Sequence, residues 1–182
     1  MASMILLQCF LFAASLGCSG GGSGMSSSGG GSGTGLVASF VADVTSPTAG
    51  EVTLAQGAIS GDTFTVEVRL TGISAVRSAE FDLLYDASQL EFVDDTPGTA
   101  LETSGLPVIY VAGTNVPGVV TVAADIAGPS TVNVSGTRPL IGLVFRLRRS
   151  GSSRLDFQGP QLRDGASQSI NSNWFGGSAN GS

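Results

Sequence analysis

From Val37 onward the sequence predicts an all-β domain, an antiparallel β-sandwich of eight or nine short strands in two sheets packed face to face. Three observations carry this expectation. Apolar residues alternate with polar ones at a period of two, turn signals recur roughly every ten residues, and no 3.6-residue period is sustained after residue 20.

The chain opens with a different kind of segment. Residues 1–17, MASMILLQCFLFAASLG, have no charged side chain and an apolar stretch from Met4 to Ala14, the length of a signal-peptide core and short of the roughly 20 residues that span a bilayer. Cys18 then follows Ser15-Leu16-Gly17, which resembles the lipobox of bacterial lipoproteins, with Ser15 where that pattern usually has Leu. Residues 1–18 therefore read as a signal peptide with Cys18 as the lipid attachment point; the other reading is an ordinary secretory leader in which Cys18 is incidental. Residues 19–35, SGGGSGMSSSGGGSGTG, have almost nothing to bury and read as a flexible linker, with an r.m.s. span on the order of 20–25 Å.

The strands follow. In Thr63 to Leu70, the residues Phe64, Val66, Val68 and Leu70 share one face. In Arg77 to Tyr85, Ala79, Phe81, Leu83 and Tyr85 point one way, and Ser78, Glu80, Asp82 and Leu84 the other. Ile141, Leu143, Phe145 and Leu147 alternate with Gly142, Val144, Arg146 and Arg148, and Leu155 and Phe157 continue the pattern. Further strands are expected at Val52 to Ala55, Leu90 to Val93, Val108 to Ala112 and Val119 to Asp125. Ser60-Gly61-Asp62, Pro97-Gly98, Pro117-Gly118 and Asp164-Gly165 supply turns between them.

Composition narrows the function. Net charge is -6, Lys is absent and the cations are eight Arg, so a phosphate backbone is repelled and nucleic acid is not expected as a partner. His is absent, and the two cysteines, Cys9 and Cys18, lie ahead of the domain, so neither a Ser-His-Asp nor a Cys-His nucleophile pair can be assembled in it. Only carboxylates remain for catalysis, and a flat sandwich face does not place two of them across a cleft as glycoside hydrolysis requires. No enzyme activity, cofactor or metal site is expected. Asp94-Asp95 lacks the alternating spacing of a calcium loop and reads as a solvated turn, and Asp86 reads as a turn residue whose carboxylate accepts from the backbone two residues on.

One ordered set of segments is more specific. Gly61-Asp-Thr-Phe-Thr-Val-Glu-Val-Arg-Leu70, Ala79-Glu-Phe-Asp-Leu-Leu-Tyr-Asp86, Leu90-Glu-Phe-Val93, Pro97-Gly98, Gly118-Val-Val-Thr-Val-Ala-Ala-Asp125, Leu140 to Arg149 and Leu155-Asp-Phe157 together resemble the cohesin domain of cellulosome scaffolds and related cell-surface proteins. The resemblance implies a jelly-roll sandwich of about nine strands over residues 36–178, with 179–182 as a tail. It also implies one flat sheet face that docks a dockerin, a small calcium-binding helical module, and a possible link to polysaccharide degradation. The family's partner-contacting polar pair on its third strand falls on Ser78 and Glu80, where Asn and Asp are usual. Asp82, Ala123 and Asp125 share the outward parity with them, so these five residues form the expected docking face; the plainer reading is that the carboxylates simply keep the face wet. Carbohydrate-binding modules share the superfamily, which makes a glycan site at Tyr110 and Trp174 the alternative, against the plainer view that Trp174-Phe175 covers the open end of the core. The expected location is the bacterial cell surface or outer membrane as a lipoprotein, or otherwise secretion.

Overall fold

The structure is a computed structural model that describes residues 35–102 and 105–182. The leader, Cys18 and the Gly/Ser segment through residue 34 lie outside the described residues. All eight expected segments form strands, β2 to β9, and a strand with no expected counterpart precedes them; in order these are β1 Ala38–Ala42, β2 Glu51–Ser60, β3 Thr63–Thr71, β4 Ser78–Leu84, β5 Leu90–Pro97, β6 Val108–Val116, β7 Val119–Ile126, β8 Thr137–Leu147 and β9 Gly151–Arg163. Three more follow: β10 Ser169–Ile170, β11 Asn173–Phe175 and β12 Gly177–Gly181.

These twelve strands make the two layers of a jelly-roll sandwich. One sheet runs β1-β12-β9-β4-β7-β6, with the short β10 also paired to β9, and the other runs β11-β2-β3-β8-β5. All pairings are antiparallel except β11 with β2. The alternation seen in the sequence decides which side of each strand faces in. Phe64, Val66, Val68 and Leu70 of β3 and Ala79, Phe81 and Leu83 of β4 are all buried, as are Ile141, Leu143, Phe145 and Leu147 of β8. Within the second sheet Phe64 stacks on its register partner Phe145 with centroids 5.9 Å apart, and across the layers Tyr85 meets Phe145 edge-on at 5.3 Å.

The turns behave as their residue types dictate. In the β2–β3 hairpin Gly61 adopts φ +61, the left-handed backbone that a two-residue hairpin loop needs. Gly98 is required for another reason. A Cβ there would sit 2.2 Å from the Pro139 carbonyl oxygen, because the chain after β5 lies directly against β8. The Asp86 carboxylate accepts from the Ser88 N–H at 2.8 Å, which pins the turn before β5.

Two expectations are corrected. Residues 179–182 are not a loose tail: Gly177–Gly181 is an interior strand, paired over five residues with β1 on one side and β9 on the other. Its Gly-Ser-Ala-Asn-Gly sequence has no β propensity. Small side chains are what let it pass over Phe40, whose ring tip would lie 2.2 Å from a Cβ at Gly177. Asp94-Asp95 is not a turn either. Both residues lie on β5, where a register shift between Phe92 and Asp94 lets Val93 stand out exposed at the sheet edge.

Candidate docking surface

Strands β4 and β7 lie side by side, and their register brings the expected residues together. Ser78 is opposite Asp125, Glu80 opposite Ala123 and Asp82 opposite Thr121. Because Ala79, Phe81, Val122 and Ala124 fill the core, the intervening side chains all emerge on the outer face of the first sheet. Ser78, Glu80, Asp82, Ala123 and Asp125 are therefore neighbours on one wall.

The chemistry of that wall is uneven. Arg77 Nε lies 3.3 Å from Asp125 Oδ1, and these two buried atoms have no hydrogen-bond partner of their own, so each relies on the opposite charge of the other. Arg163, next to Ser78 in the register, donates to Gln161 Oε1 and to the Ser167 carbonyl. At this end of the wall the Asp125 charge is thus offset, and Arg163 adds a cation. Asp82 accepts from Thr121 Oγ1 at 2.7 Å, while Glu80 is exposed and has no ion-pair or hydrogen-bond partner among the described residues. Free negative charge is concentrated at Glu80 and Asp82, in the middle of the sheet. A dimple bounded by Glu80, Asp82, Thr121, Gln158 and Gly159 marks the point where β9 bulges away from β4.

Strand β6 adds residues that sequence reasoning missed. Ile109 pairs with Asp125 and Val111 with Ala123, and both point outward, 58% and 61% exposed. An apolar strip, Ile109, Val111 and Ala123, runs beside the carboxylates. The period-two signal could not find it, because Val-Ile-Tyr-Val-Ala is apolar in both parities. What orients the strand is Tyr110, which turns inward and donates its hydroxyl to the Gly98 carbonyl at 3.0 Å. Burial, then the charge of Glu102, holds the Tyr110 phenol above its usual range.

Tyr110 and Trp174 do not share a surface. Trp174, on β11 of the second sheet, packs against Phe157 and Phe81 with centroids 4.9 and 5.5 Å away, and its indole N–H donates to Ser172 Oγ at 2.8 Å. Both rings are half-buried against the core, and they sit on strands of different sheets. A cleft of about 570 Å³ lies elsewhere, between Phe40–Pro47 and the outer side of β2 and β3 near Arg69.

The cohesin domain family model matches residues 48–172, more than half of the chain. The chain belongs to the cohesin family. Solved cohesins agree in fold. The sixth cohesin of Acetivibrio cellulolyticus scaffoldin B, determined in complex with a Cel5 dockerin mutant, is 19% identical, with a TM-score of 0.55 over 78% of this chain and 96% of that one. A cohesin of Clostridium acetobutylicum is 22% identical, with a TM-score of 0.56 over 72% of this chain and 90% of that one. A non-cellulosomal cohesin of the archaeon Archaeoglobus fulgidus is 22% identical, with a TM-score of 0.50 over 70% of this chain and 88% of that one. No curated protein sequence gives a significant match. In this cohesin, the positions to which the family's polar pair was carried, Ser78 and Glu80, sit on the outer wall beside Asp125 and Ala123.

Proposed function

We propose that this cohesin is a binding module, not a catalyst, and that it docks a dockerin-type protein through the outer face of the sheet containing β4, β7 and β6. The observation that supports this most is the exposed strip of Ile109, Val111 and Ala123 lying beside Glu80 and Asp82 on one flat wall. A surface of this composition suits a protein partner with an apolar centre and Arg or Lys at its rim, since carboxylates there accept charge-assisted hydrogen bonds and fix orientation. That a similar cohesin has been determined in complex with a dockerin adds to the case. Nothing favours a glycan site, because the half-buried Trp174 and Tyr110 offer no shared stacking platform.

A pull-down from the native organism with wild-type, Val111→Asp and Glu80→Arg domains as baits tests the reading. The wild type should retain a dockerin-bearing protein and both variants should lose it. Failure of the wild type to retain any would overturn the proposal. On the same reading Cys18 is the lipid anchor and residues 19–35 the leash, holding the module at the bacterial surface where its partner would serve polysaccharide degradation. Incorporation of labelled palmitate, lost in Cys18→Ser, checks the anchor, and the identity of the captured protein checks the link to polysaccharide.

A further inference from the structure

An edge strand presents a row of N–H and C=O groups that invites another strand unless something blunts it. Apart from the two-residue β10, four strands end the two sheets: β1 and β6 in one, β11 and β5 in the other. Three are blunted. The N–H groups of Ala38 and Phe40 on β1 donate to the Gly61 carbonyl and to Gln56 Oε1 at 3.0 and 3.3 Å. Strand β11 is only three residues long, and β5 has a bulge, two aspartates and a terminal proline. Strand β6 has none of these devices along residues 108–113; its one register shift lies between Gly113 and Val116, beside the turn into β7. It is nine residues long without charge or proline, and among the described residues its backbone makes no hydrogen bond except to β7.

We propose that β6 pairs with β6 of a second copy of this chain, antiparallel about a two-fold axis through Val111, so that the sheet continues from one molecule into the next. Self-pairing is favoured over a foreign strand because β6 complements itself. In this register Val111 faces its own counterpart, a β-branched pair on the outer side, and Ile109 faces Gly113 of the second copy. Open space surrounds Gly113, where an added Cβ would meet nothing within 4 Å, so the Ile109 side chain has somewhere to lie. The absence of charge matters in a chain of net charge -6, since an edge strand bearing carboxylates would repel its copy. The axis stands perpendicular to the sheet, so both outer walls face the same way and Glu80 and Asp82 stay open in each. Pairing is therefore compatible with docking and does not depend on it. A single shared edge buries less than the roughly 1,200–2,000 Å² of a stable interface, so the dimer is weak and concentration-dependent.

Sedimentation equilibrium on the exported chain carrying Cys18→Ser, which removes any lipid-driven association, provides the test over about 10 μM to 1 mM. The average mass of this reference chain should rise toward twofold. In the same background, Val111→Lys and Val111→Glu should each stay monomeric, because like charges meet at the axis, and an equimolar mixture of the two should recover the dimer. A reference chain that remains monomeric at the highest concentration overturns the proposal. So does a dimer that survives both substitutions, or a mixture that fails to associate while circular dichroism shows both variants folded.

Discussion

Replacing Phe81 with alanine would remove the support beneath the docking wall, because Phe81 is the inward residue between Glu80 and Asp82 on β4. Its side chain is 2% exposed, and its ring meets Phe157 at 5.2 Å and Trp174 at 5.5 Å. Truncating a buried Phe to Ala costs about 3–5 kcal/mol through lost transfer energy and the cavity left behind. Two aromatic contacts, at about 0.5–1.5 kcal/mol each beyond area burial, place this site in the upper half of that range. With about 2–4 °C of melting temperature per kcal/mol for a domain of this size, Tm should fall by about 8–20 °C. Trp174 is the only tryptophan, so its emission reports on the same contact and should shift to the red as water reaches the ring. Urea unfolding followed by that emission gives both quantities in one experiment. A loss of stability under about 1 kcal/mol with unshifted emission would refute the packing argument and the inward direction of Phe81 with it.

Other substitutions separate structure from recognition. Gly98→Ala places a methyl group 2.2 Å from the Pro139 oxygen and 2.6 Å from the Leu140 carbonyl carbon, both backbone atoms. Thermal melting should show a loss of about 1–3 kcal/mol or more, since neither neighbour can rotate away. Val111→Asp should leave stability within about 0.5 kcal/mol, as expected for an exposed position, yet weaken partner binding by about tenfold or more in calorimetric titration. The Arg154 guanidinium, in a bidentate pair with Asp43, holds that carboxyl below its ordinary value of 3.8. A carboxylate whose pKa is lowered on folding adds stability above its unfolded pKa and loses it as pH falls through the folded one. The fold should therefore weaken below about pH 4, and Asp43→Asn should melt with a shallower acid dependence there. Asp95 has the opposite sign, because burial and then Asp94 raise its pKa. Asp95→Asn should accordingly raise Tm at neutral pH.

The sequence made much of this architecture legible, for a physical reason. Where one face of a strand is dry and the other wet, as in Phe64 to Leu70 or Ala79 to Leu83, alternation states both the strand and its orientation. The outward set Ser78, Glu80 and Asp82 followed from that rule, and its placement beside Asp125 and Ala123 required only that β4 and β7 be neighbours. Legibility failed where the rule has nothing to act on. Strand β6 is apolar in both parities, so Ile109 and Val111 stayed hidden until Tyr110 was seen to turn inward. Strand β12 is almost all Gly, Ser, Ala and Asn, and its pairing is imposed by neighbours instead of its own propensity. The Arg77–Asp125 pair joins residues far apart in the chain, and no local pattern announces which carboxylate it neutralises.

The position of β12 also governs when this domain can become complete. Among the described residues strand β1 has no partner in its sheet except β12, so residues 38–42 have no described ladder to join until the ribosome has delivered residues 177–181. The first of the described strands must wait for the twelfth, and that side of the sheet closes only after β12 has been made, even if the hairpins between them have already formed.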